Sequence, residues 1–244
     1  YTVVAVNATT GCTRNMSGSA VVIVNPLPTM YAVTGGGGYC AGGTGVHVGL
    51  ANSNPGISYQ LMNTGGPVGT ALAGTGSPLD FGLITTTGTY TVLATNPATA
   101  CQNTMSGSAV VNINALPTAY TVTGGGNYCS GGSGISVGLF NSTSGVNYQL
   151  YRGATAVGAA IPGTGSAITF GAQTVAGGYT VVATNASTGC SNNMLGTVMV
   201  AIDPLPGQFV VTGGGNYCTG GTGVLVGLGG SASGINYQLM NGLA

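Results

Sequence analysis

Residues 179–190, which read YTVVATNASTGC, contain the pattern that decides the fold. Apolar and polar side chains alternate from Tyr179 to Thr184, and this period of two is typical of a β-strand with one buried face. The same positions read YTVLATNPATAC at 90–101 and YTVVAVNATTGC at 1–12, so the step is 89 residues each time. A fixed step of this kind indicates a protein built from copies of one unit.

The cysteines keep the same step of 89 residues in two series. The late series is Cys12, Cys101 and Cys190, and the early series is Cys40, Cys129 and Cys218. Short Leu-Pro sequences recur between the copies, at Pro26-Leu27-Pro28, Leu116-Pro117 and Pro204-Leu205-Pro206. Because proline fixes φ, these sequences predict stiff linkers, and we place the repeat boundaries there.

The predicted domains follow from these boundaries. Residues 1–28 are the C-terminal strands of a partial repeat, 29–117 and 118–206 are two full repeats, and 207–244 are the N-terminal strands of another partial repeat. Three full periods would also contain the counterpart of Pro67–Thr89. Two explanations stay open: a window from a longer array, or a subunit whose split ends complete each other between chains.

Seven short strands are predicted in the repeat 118–206, separated by Gly, Asn, Ser and Thr residues that favour turns. They are Ala119–Thr123, Ile135–Phe140, Val146–Tyr151, Ala154–Ala160, Ala167–Phe170, Tyr179–Thr184 and Thr197–Ile202. Gly35–Gly38 and Gly124–Gly126 are predicted to break a strand; a phosphate loop would need a following helix and usually Lys. The pattern predicts an all-β fold of tandem immunoglobulin-like β-sandwich repeats of 89 residues.

Tyrosines occupy two diagnostic places in this predicted fold. Tyr90 and Tyr179 each open the sixth strand, where they are either a tyrosine corner or an ordinary core side chain. Tyr59 and Tyr148 stand where antibody domains carry a conserved Trp, and the chain has no Trp. The prediction is therefore an immunoglobulin-like domain that is not of the antibody type.

Charged residues make up 2% of the chain, against about 25% in an average soluble domain. They are Arg14, Arg152, Asp80 and Asp203, and the repeats replace each of them by an uncharged residue. The lack of a basic patch argues against nucleic-acid binding, and no apolar run reaches the ~20 residues that a membrane helix needs. A net charge of zero favours association between copies.

Candidate catalytic groups are few. The single histidine, His47, is replaced by Ser136 and Leu225 in the other repeats, which favours a side chain facing its neighbours over a general base. Two carboxylates in separate repeats do not provide a paired-carboxylate mechanism. Zinc would require closely spaced ligands such as Cys-x-x-Cys, which the chain lacks. The sequence therefore predicts no enzyme activity, no cofactor and no metal site.

Two cysteines at matching places in each repeat predict structural disulfides and an oxidising compartment. We expect pairing within a repeat, Cys40–Cys101 and Cys129–Cys190, because domain disulfides are usually local. Cys12 and Cys218 would then pair outside this chain or between chains. Pairing between neighbouring repeats, Cys40 with Cys190, stays open, since immunoglobulin topology places the two cysteines of one repeat at opposite ends of the sandwich.

Two segments resemble a known family. Residues 121–132, TVTGGGNYCSGG, and residues 178–190, GYTVVATNASTGC, resemble the Ig-like or PKD-like repeats of very large secreted bacterial surface proteins, which are typical of gliding bacteria with type IX secretion. The resemblance implies arrays at the cell surface or outside the cell, used for adhesion, gliding, matrix or filaments. This chain departs from the family in its lack of charge, and its acidic side chains are too few for calcium sites.

The predicted function is that of a structural extracellular repeat protein, which forms a surface fibre or filament through end-to-end and lateral association of Ig-like domains. The predicted partner is therefore an identical chain, with no nucleic acid and no membrane insertion. The alternative is an adhesin that recognises glycans or surfaces. In that case the rings of Tyr39, Tyr128 and Tyr217 are candidates for stacking on sugars, although packing beside the adjacent cysteine is the simpler role.

Overall fold

A computed structural model describes residues 1–242, which contain β-strands and no helix. Accordingly, no helix in this range is long and apolar enough to cross a membrane. The chain divides into two units, one of residues 1–116 and one from Pro117 onward. The four predicted domain ranges remain predictions.

The first unit contains eleven strands. They are β1 (Val4–Val6), β2 (Thr13–Asn15), β3 (Val33–Gly35), β4 (Gly37–Cys40), β5 (Val46–Leu50), β6 (Ser58–Asn63), β7 (Gly66–Ala73), β8 (Leu79–Ile84), β9 (Gly88–Thr95), β10 (Gln102–Thr104) and β11 (Ala109–Asn114).

The second unit also contains eleven strands, of which the first nine repeat the order of β3 to β11. Its strands are β12 (Val122–Gly124), β13 (Gly126–Cys129), β14 (Ile135–Leu139), β15 (Val146–Arg152), β16 (Thr155–Pro162), β17 (Ile168–Gln173), β18 (Gly177–Asn185), β19 (Ser191–Asn193), β20 (Val198–Asp203), β21 (Val211–Gly213) and β22 (Val226–Leu228).

Each unit contains the two sheets of an immunoglobulin-like sandwich. In the first unit one sheet has the order β3-β5-β8, and the other has the order β4-β11-β9-β6-β7 with β10 paired to β9. The second unit has the same two sheets, β12-β14-β17 and β13-β20-β18-β15-β16, with β19 paired to β18. All pairs are antiparallel except β4 with β11 and β13 with β20. The predicted all-β, immunoglobulin-like class is confirmed.

The core of each sandwich lies between its two sheets. Alternate residues of β9, from Tyr90 through Val92 to Ala94, are fully buried, as the period of two predicts. They meet β6 in a fixed register, with Leu61 opposite Val92. The second unit buries the counterparts of these residues. Every element that holds the core is thus present once per repeat.

A glycine run moves the chain from one sheet to the other. Gly35 and Gly36 have φ of +85° and +78°, which side chains other than that of Gly rarely adopt. A Cβ on Gly35 would lie 2.2 Å from the carbonyl oxygen of His47, so no other residue fits. The run therefore ends β3 in one sheet and lets β4 begin in the other.

The strands of the second repeat correct the prediction in two places. The seven predicted strands are present, although the first starts at Val122 instead of Ala119 and includes Gly124, which was predicted to break it. Two further strands, β13 and β19, were not predicted. β13 was missed because glycine and asparagine hide the strand pattern after the break, and β19 because Ser191-Asn192-Asn193 looks like a turn by composition.

The tyrosines have the predicted structural roles. The hydroxyl of Tyr90 donates to the carbonyl oxygen of Thr86 at 2.8 Å, and that of Tyr179 to Val175 at 2.7 Å. These bonds to the backbone a few residues upstream define a tyrosine corner. Tyr59 and Tyr148 are fully buried in the place of the antibody Trp.

Candidate assembly site: the linker clamp and the cysteines

An asparagine ties each of the first two proline linkers to the repeat that follows it. The side-chain amide of Asn103 donates to the carbonyl oxygen of Pro28 at 2.8 Å, and that of Asn192 donates to Pro117 at 2.8 Å. The short strands β10 and β19 hold these asparagines at the edge of the central strand. We call each pair a linker clamp. Sequence analysis missed both clamps, because the only signal was the recurrence of Asn at this place.

Backbone contacts reinforce the clamp just after the linker. The backbone N–H of Tyr31 donates to the sulfur of Met105 at 3.4 Å, and the N–H of Ser106 donates to the carbonyl oxygen of Tyr31 at 2.9 Å. Tyr120 makes the matching contacts in the second unit, with Met194 and Leu195. A linker held by side-chain and backbone bonds has little freedom to swivel relative to the domain that it enters.

The cysteines are in two states. Cys40 and Cys190 are disulfide-bonded. The remaining four, Cys12, Cys101, Cys129 and Cys218, are free thiols.

The expected pairing within a repeat is not formed, since Cys101 and Cys129 are free. Strand register gives the reason. Cys40 is the last residue of β4 and lies opposite Asn114, which places it near the start of β9. Cys101 comes after the last residue of β9, at the other end of that strand. β9 has eight residues and spans about 25 Å, but a disulfide needs Cα atoms within about 7 Å.

The second repeat has the same obstacle. Cys129 lies opposite Asp203, and Cys190 follows the far end of β18. The expectation that Cys12 and Cys218 pair outside this chain or between chains stays a prediction; both are exposed.

The only histidine forms a surface ion pair. Nδ1 of His47 lies 2.7 Å from Oδ2 of Asp80, and both side chains are more than half exposed. At the matching place in the second repeat, the hydroxyls of Ser136 and Thr169 lie 3.0 Å apart. The contact between His47 and Asp80 is therefore one version of a polar contact between neighbouring strands. Because solvent screens it, its contribution to stability is small.

The candidate sugar-stacking rings have structural contacts. The hydroxyl of Tyr39 donates to the carbonyl oxygen of Thr85 at 2.6 Å, and that of Tyr128 donates to Thr174 at 2.6 Å. Both rings are half-buried and pack on the core. Tyr217 is the exposed member of the series. Two of the three rings thus have structural contacts, with the core and with a backbone carbonyl oxygen.

Within residues 1–242, no group of three or more His, Cys, Asp or Glu side chains is close enough to hold a metal ion. One hollow on the surface has a volume of about 370 Å³ and lies in the segment 207–242. Its lining residues are Val211, Val226, Gly227, Leu228, Tyr237, Gln238 and Leu239. Five of these seven are apolar or aromatic, so the hollow suits apolar side chains better than a polar small molecule.

No family model and no curated protein matches this chain. Solved structures with a similar fold include fibronectin(III)-like modules of CbhA from Clostridium thermocellum, with 10% identity, a TM-score of 0.38, and coverage of 71% of this chain and 95% of that one. Domains FN1–FN3 of chicken CNTN1 share 14% identity with a TM-score of 0.33, over 81% and 76% of the two chains. Murine CEACAM1b shares 12% with a TM-score of 0.35, over 68% and 96%. Likeness at this level concerns the fold alone.

Proposed function

We propose that this chain is a structural extracellular protein, whose Ig-like repeats associate end to end and laterally into a surface fibre or filament. The observation that carries the proposal is the chemistry of the outer faces. Apart from five ionisable side chains of Asp, Arg and His, the surface consists of uncharged polar and apolar residues. Identical faces of this kind pack together without desolvating ions, whose burial is costly.

Exposed apolar side chains recur at matching places. Val110 on β11 is 47% exposed, and its counterpart Met199 on β20 is 61% exposed. Both point away from the core, because their neighbours Val111 and Val200 are buried. A feature that recurs in each repeat offers the same contact at regular intervals, as a fibre needs.

The linker clamps support a stiff array. A chain whose linkers swivel loses more entropy on assembly than one whose linkers are fixed, so fixed linkers favour long regular polymers. A disulfide is also typical of proteins outside the cytosol, which agrees with an extracellular location. A secreted bacterial surface protein of the gliding type remains the proposed source class, from the resemblance alone.

Assembly is tested by negative-stain electron microscopy and light scattering of the purified chain over a range of concentrations, at ordinary salt and under reducing conditions. We expect fibres or lateral bundles. The double variant Val110→Lys and Met199→Lys places a charge on the same face of each repeat and is expected to disperse them. The matched variant Val110→Gln and Met199→Gln is polar but uncharged, and is expected to keep assembling. Monomers of the unaltered chain at all concentrations would contradict the proposal.

The adhesin alternative is tested separately, since binding of a glycan does not require assembly. Tyr217 is the ring of the candidate series that is free for stacking. A glycan array with no signal above background removes this alternative. A signal that Tyr217→Ala abolishes, with Tyr128→Ala leaving it in place, would support it.

A further inference from the structure

Each full repeat has two long edge strands, one in each sheet. They are β7 and β8 in the first repeat, and β16 and β17 in the second. β7 and β16 have eight residues each, so the free N–H and C=O groups along their open sides could pair with a strand of another molecule. The other edge strands of each repeat have only three or four residues. Uncontrolled association between copies would therefore start at the long edges.

Charge does not protect β7 and β16, although many proteins place Lys or other charged side chains on an exposed edge strand. β7 reads GPVGTALA and β16 reads TAVGAAIP, so neither strand has a charged residue. Pro67 lies near the start of β7 and Pro162 at the end of β16, and each prevents pairing only at that end. The middle of each strand has neither a charge nor a proline.

The middle of each of these strands is instead a bulge. Gln60 of β6 faces three residues of β7, 69–71, where a regular pair of strands would match one with one. Gln149 faces residues 158–160 of β16 in the same way. A bulge bends its strand and interrupts the ladder. Each edge strand therefore keeps a regular stretch of three residues on one side of the bulge and two on the other.

The facing glutamine holds the bulge through its side-chain amide. Nε2 of Gln60 donates to the carbonyl oxygens of Leu61 and Val68, at 2.9 Å each, and to that of Gly69 at 3.4 Å. Gln149 makes the same three contacts in the second repeat, at 3.0, 3.0 and 3.2 Å. The amide thus bridges both strands at the point where their ladder is interrupted. Because the contacts recur, they are a property of the repeat and not of one loop.

The long edge strands of the other sheet are interrupted as well. One residue of β5 faces two residues of β8, and β14 and β17 show the same irregularity. In β8 the backbone N–H of Gly82 donates to Oδ1 of Asp80 at 2.8 Å. In β17 the N–H of Gly171 donates to Oγ1 of Thr169 at 3.1 Å. All four long edge strands of the two full repeats therefore carry a bulge that a side chain holds.

We propose that these bulges, held in β7 and β16 by Gln60 and Gln149, keep the edge strands from pairing with a second copy, so that copies meet through the outer faces of their sheets. The glutamines are positioning residues, because they act through the backbone of the edge strand. Protection of the edges does not depend on the proposed function, since a dispersed chain also has to avoid edge pairing. Contact through the faces rests on the proposed function and names the surface of Val110 and Met199 as its lateral contact.

Amide hydrogen exchange of the unaltered chain, dispersed and assembled, tests which surface the copies use. Peptides that cover residues 66–73 and 155–162 report on β7 and β16. Edge pairing would place their outward N–H groups in new hydrogen bonds and slow exchange by on the order of tenfold or more. We expect exchange in both strands to change less than about twofold on assembly. Tenfold slower exchange in the assembled unaltered chain would overturn the proposal.

Removal of the extra residues tests the bulges themselves. Deletion of residues 69–70 and 158–159 leaves one residue facing each glutamine. Val157 and Ile161, which pack on the core, then lie two positions apart and can both still face it. The straightened edges are expected to pair between copies, with slowed exchange in β7 and β16 and a rise in thioflavin T fluorescence. A deletion variant that unfolds cooperatively, but gains neither signal, would overturn the proposal.

A point variant tests the glutamines and keeps the chain length, so it decides the question if the deletion variant does not fold. Gln60→Met with Gln149→Met retains the length of the side chain but removes the amide donor, and is expected to slow exchange in the edge strands on association. The matched control, Thr91→Met with Thr180→Met, adds the same side chain to the outer faces of β9 and β18 and is expected to leave the edges unchanged.

Equal exchange in the glutamine variant and its control would remove the glutamines from the proposal. Lower stability of the glutamine variant without any change at the edges is the result that a purely structural role predicts, and it would count against the proposal as well.

The proposed function and this inference fail in different ways. An unaltered chain that stays monomeric at every concentration rejects the proposed function, whereas edge pairing of the deletion variant would still support protection by the bulges. Fibres of the unaltered chain with slowed exchange in β7 and β16 leave the function standing and reject the inference.

Discussion

Val92 and Val3 occupy the same place in the 89-residue repeat, but Val92 is fully buried and Val3 is 65% exposed. Leu150 and Leu239 differ in the same way. The local sequence around each pair is almost the same, so the pattern of a strand does not by itself bury its apolar face. Burial requires the other strands of the sandwich. The contrast between a full repeat and an end segment therefore shows that local sequence sets the strand pattern, whereas partner strands bury the apolar side chains.

The largest effect is expected from removing the same leucine in the two settings. Leu150→Ala leaves a cavity in the second repeat and is expected to lower its free energy of unfolding by about 3 kcal/mol. Leu239→Ala, on an exposed side chain, is expected to change stability by less than about 0.5 kcal/mol. Denaturant unfolding is followed by tyrosine fluorescence at low concentration under reducing conditions. Equal losses in the two variants would mean that the segment 207–242 already has a packed core.

The tyrosine corner gives a second contrast. Tyr179→Phe removes the bond to the carbonyl oxygen of Val175 and is expected to lower the free energy of unfolding by about 1.5 kcal/mol. Its counterpart Tyr1 is 84% exposed, so Tyr1→Phe is expected to have no measurable effect. The same denaturant titration measures both. If Tyr179→Phe leaves the free energy of unfolding unchanged, the hydroxyl bond makes no net contribution to stability.

The linker clamp is tested with Asn192 and its end-segment counterpart Arg14. Asn192→Ala frees the carbonyl oxygen of Pro117 and is expected to cost about 1 kcal/mol, with faster amide hydrogen exchange over residues 118–123. Arg14→Ala removes an exposed side chain and is expected to leave exchange unchanged. Mass spectrometry of peptic fragments resolves the two regions. Unchanged amide exchange in Asn192→Ala would show that the clamp does not stiffen the linker.

The smallest effect is expected from exchanging the surface pair between the full repeats. His47→Ser with Asp80→Thr converts the ion pair of the first repeat into the hydroxyl pair of the second. Because both side chains are mostly exposed, we expect a change within about 0.5 kcal/mol. A loss of more than about 1 kcal/mol would show that the ion pair contributes more than a surface position normally allows.

Much of this fold follows from the sequence because its cause is local. Alternation along Tyr179–Thr184 predicts a strand with one buried face, and the structure buries the expected side chains. Because the unit is repeated, each such pattern can be checked in more than one copy. The strand β13 was not predictable, because Gly126-Asn127 carries no apolar alternation. Its position depends on the parallel pairing with β20, about 74 residues away in the chain.

The candidate site was predicted less well than the fold. Cysteine spacing indicates regular pairing, but the choice between schemes depends on which end of the sandwich each cysteine occupies. That is a property of the sheet order, which the local sequence around each cysteine does not contain. Asn103 and Asn192 were missed for a related reason, since a side chain that reaches a linker 75 residues earlier leaves no local pattern.

The parallel pairing of β4 with β11 has a mechanical consequence. β4 follows the glycine run near the start of its repeat, and β11 leads out at the end, so their free ends point in opposite directions along the pair. A force that pulls on both ends of the repeat therefore slides the two strands past each other. The hydrogen bonds between them are then loaded together instead of breaking one after another. Each repeat is consequently built to resist stretching along the chain.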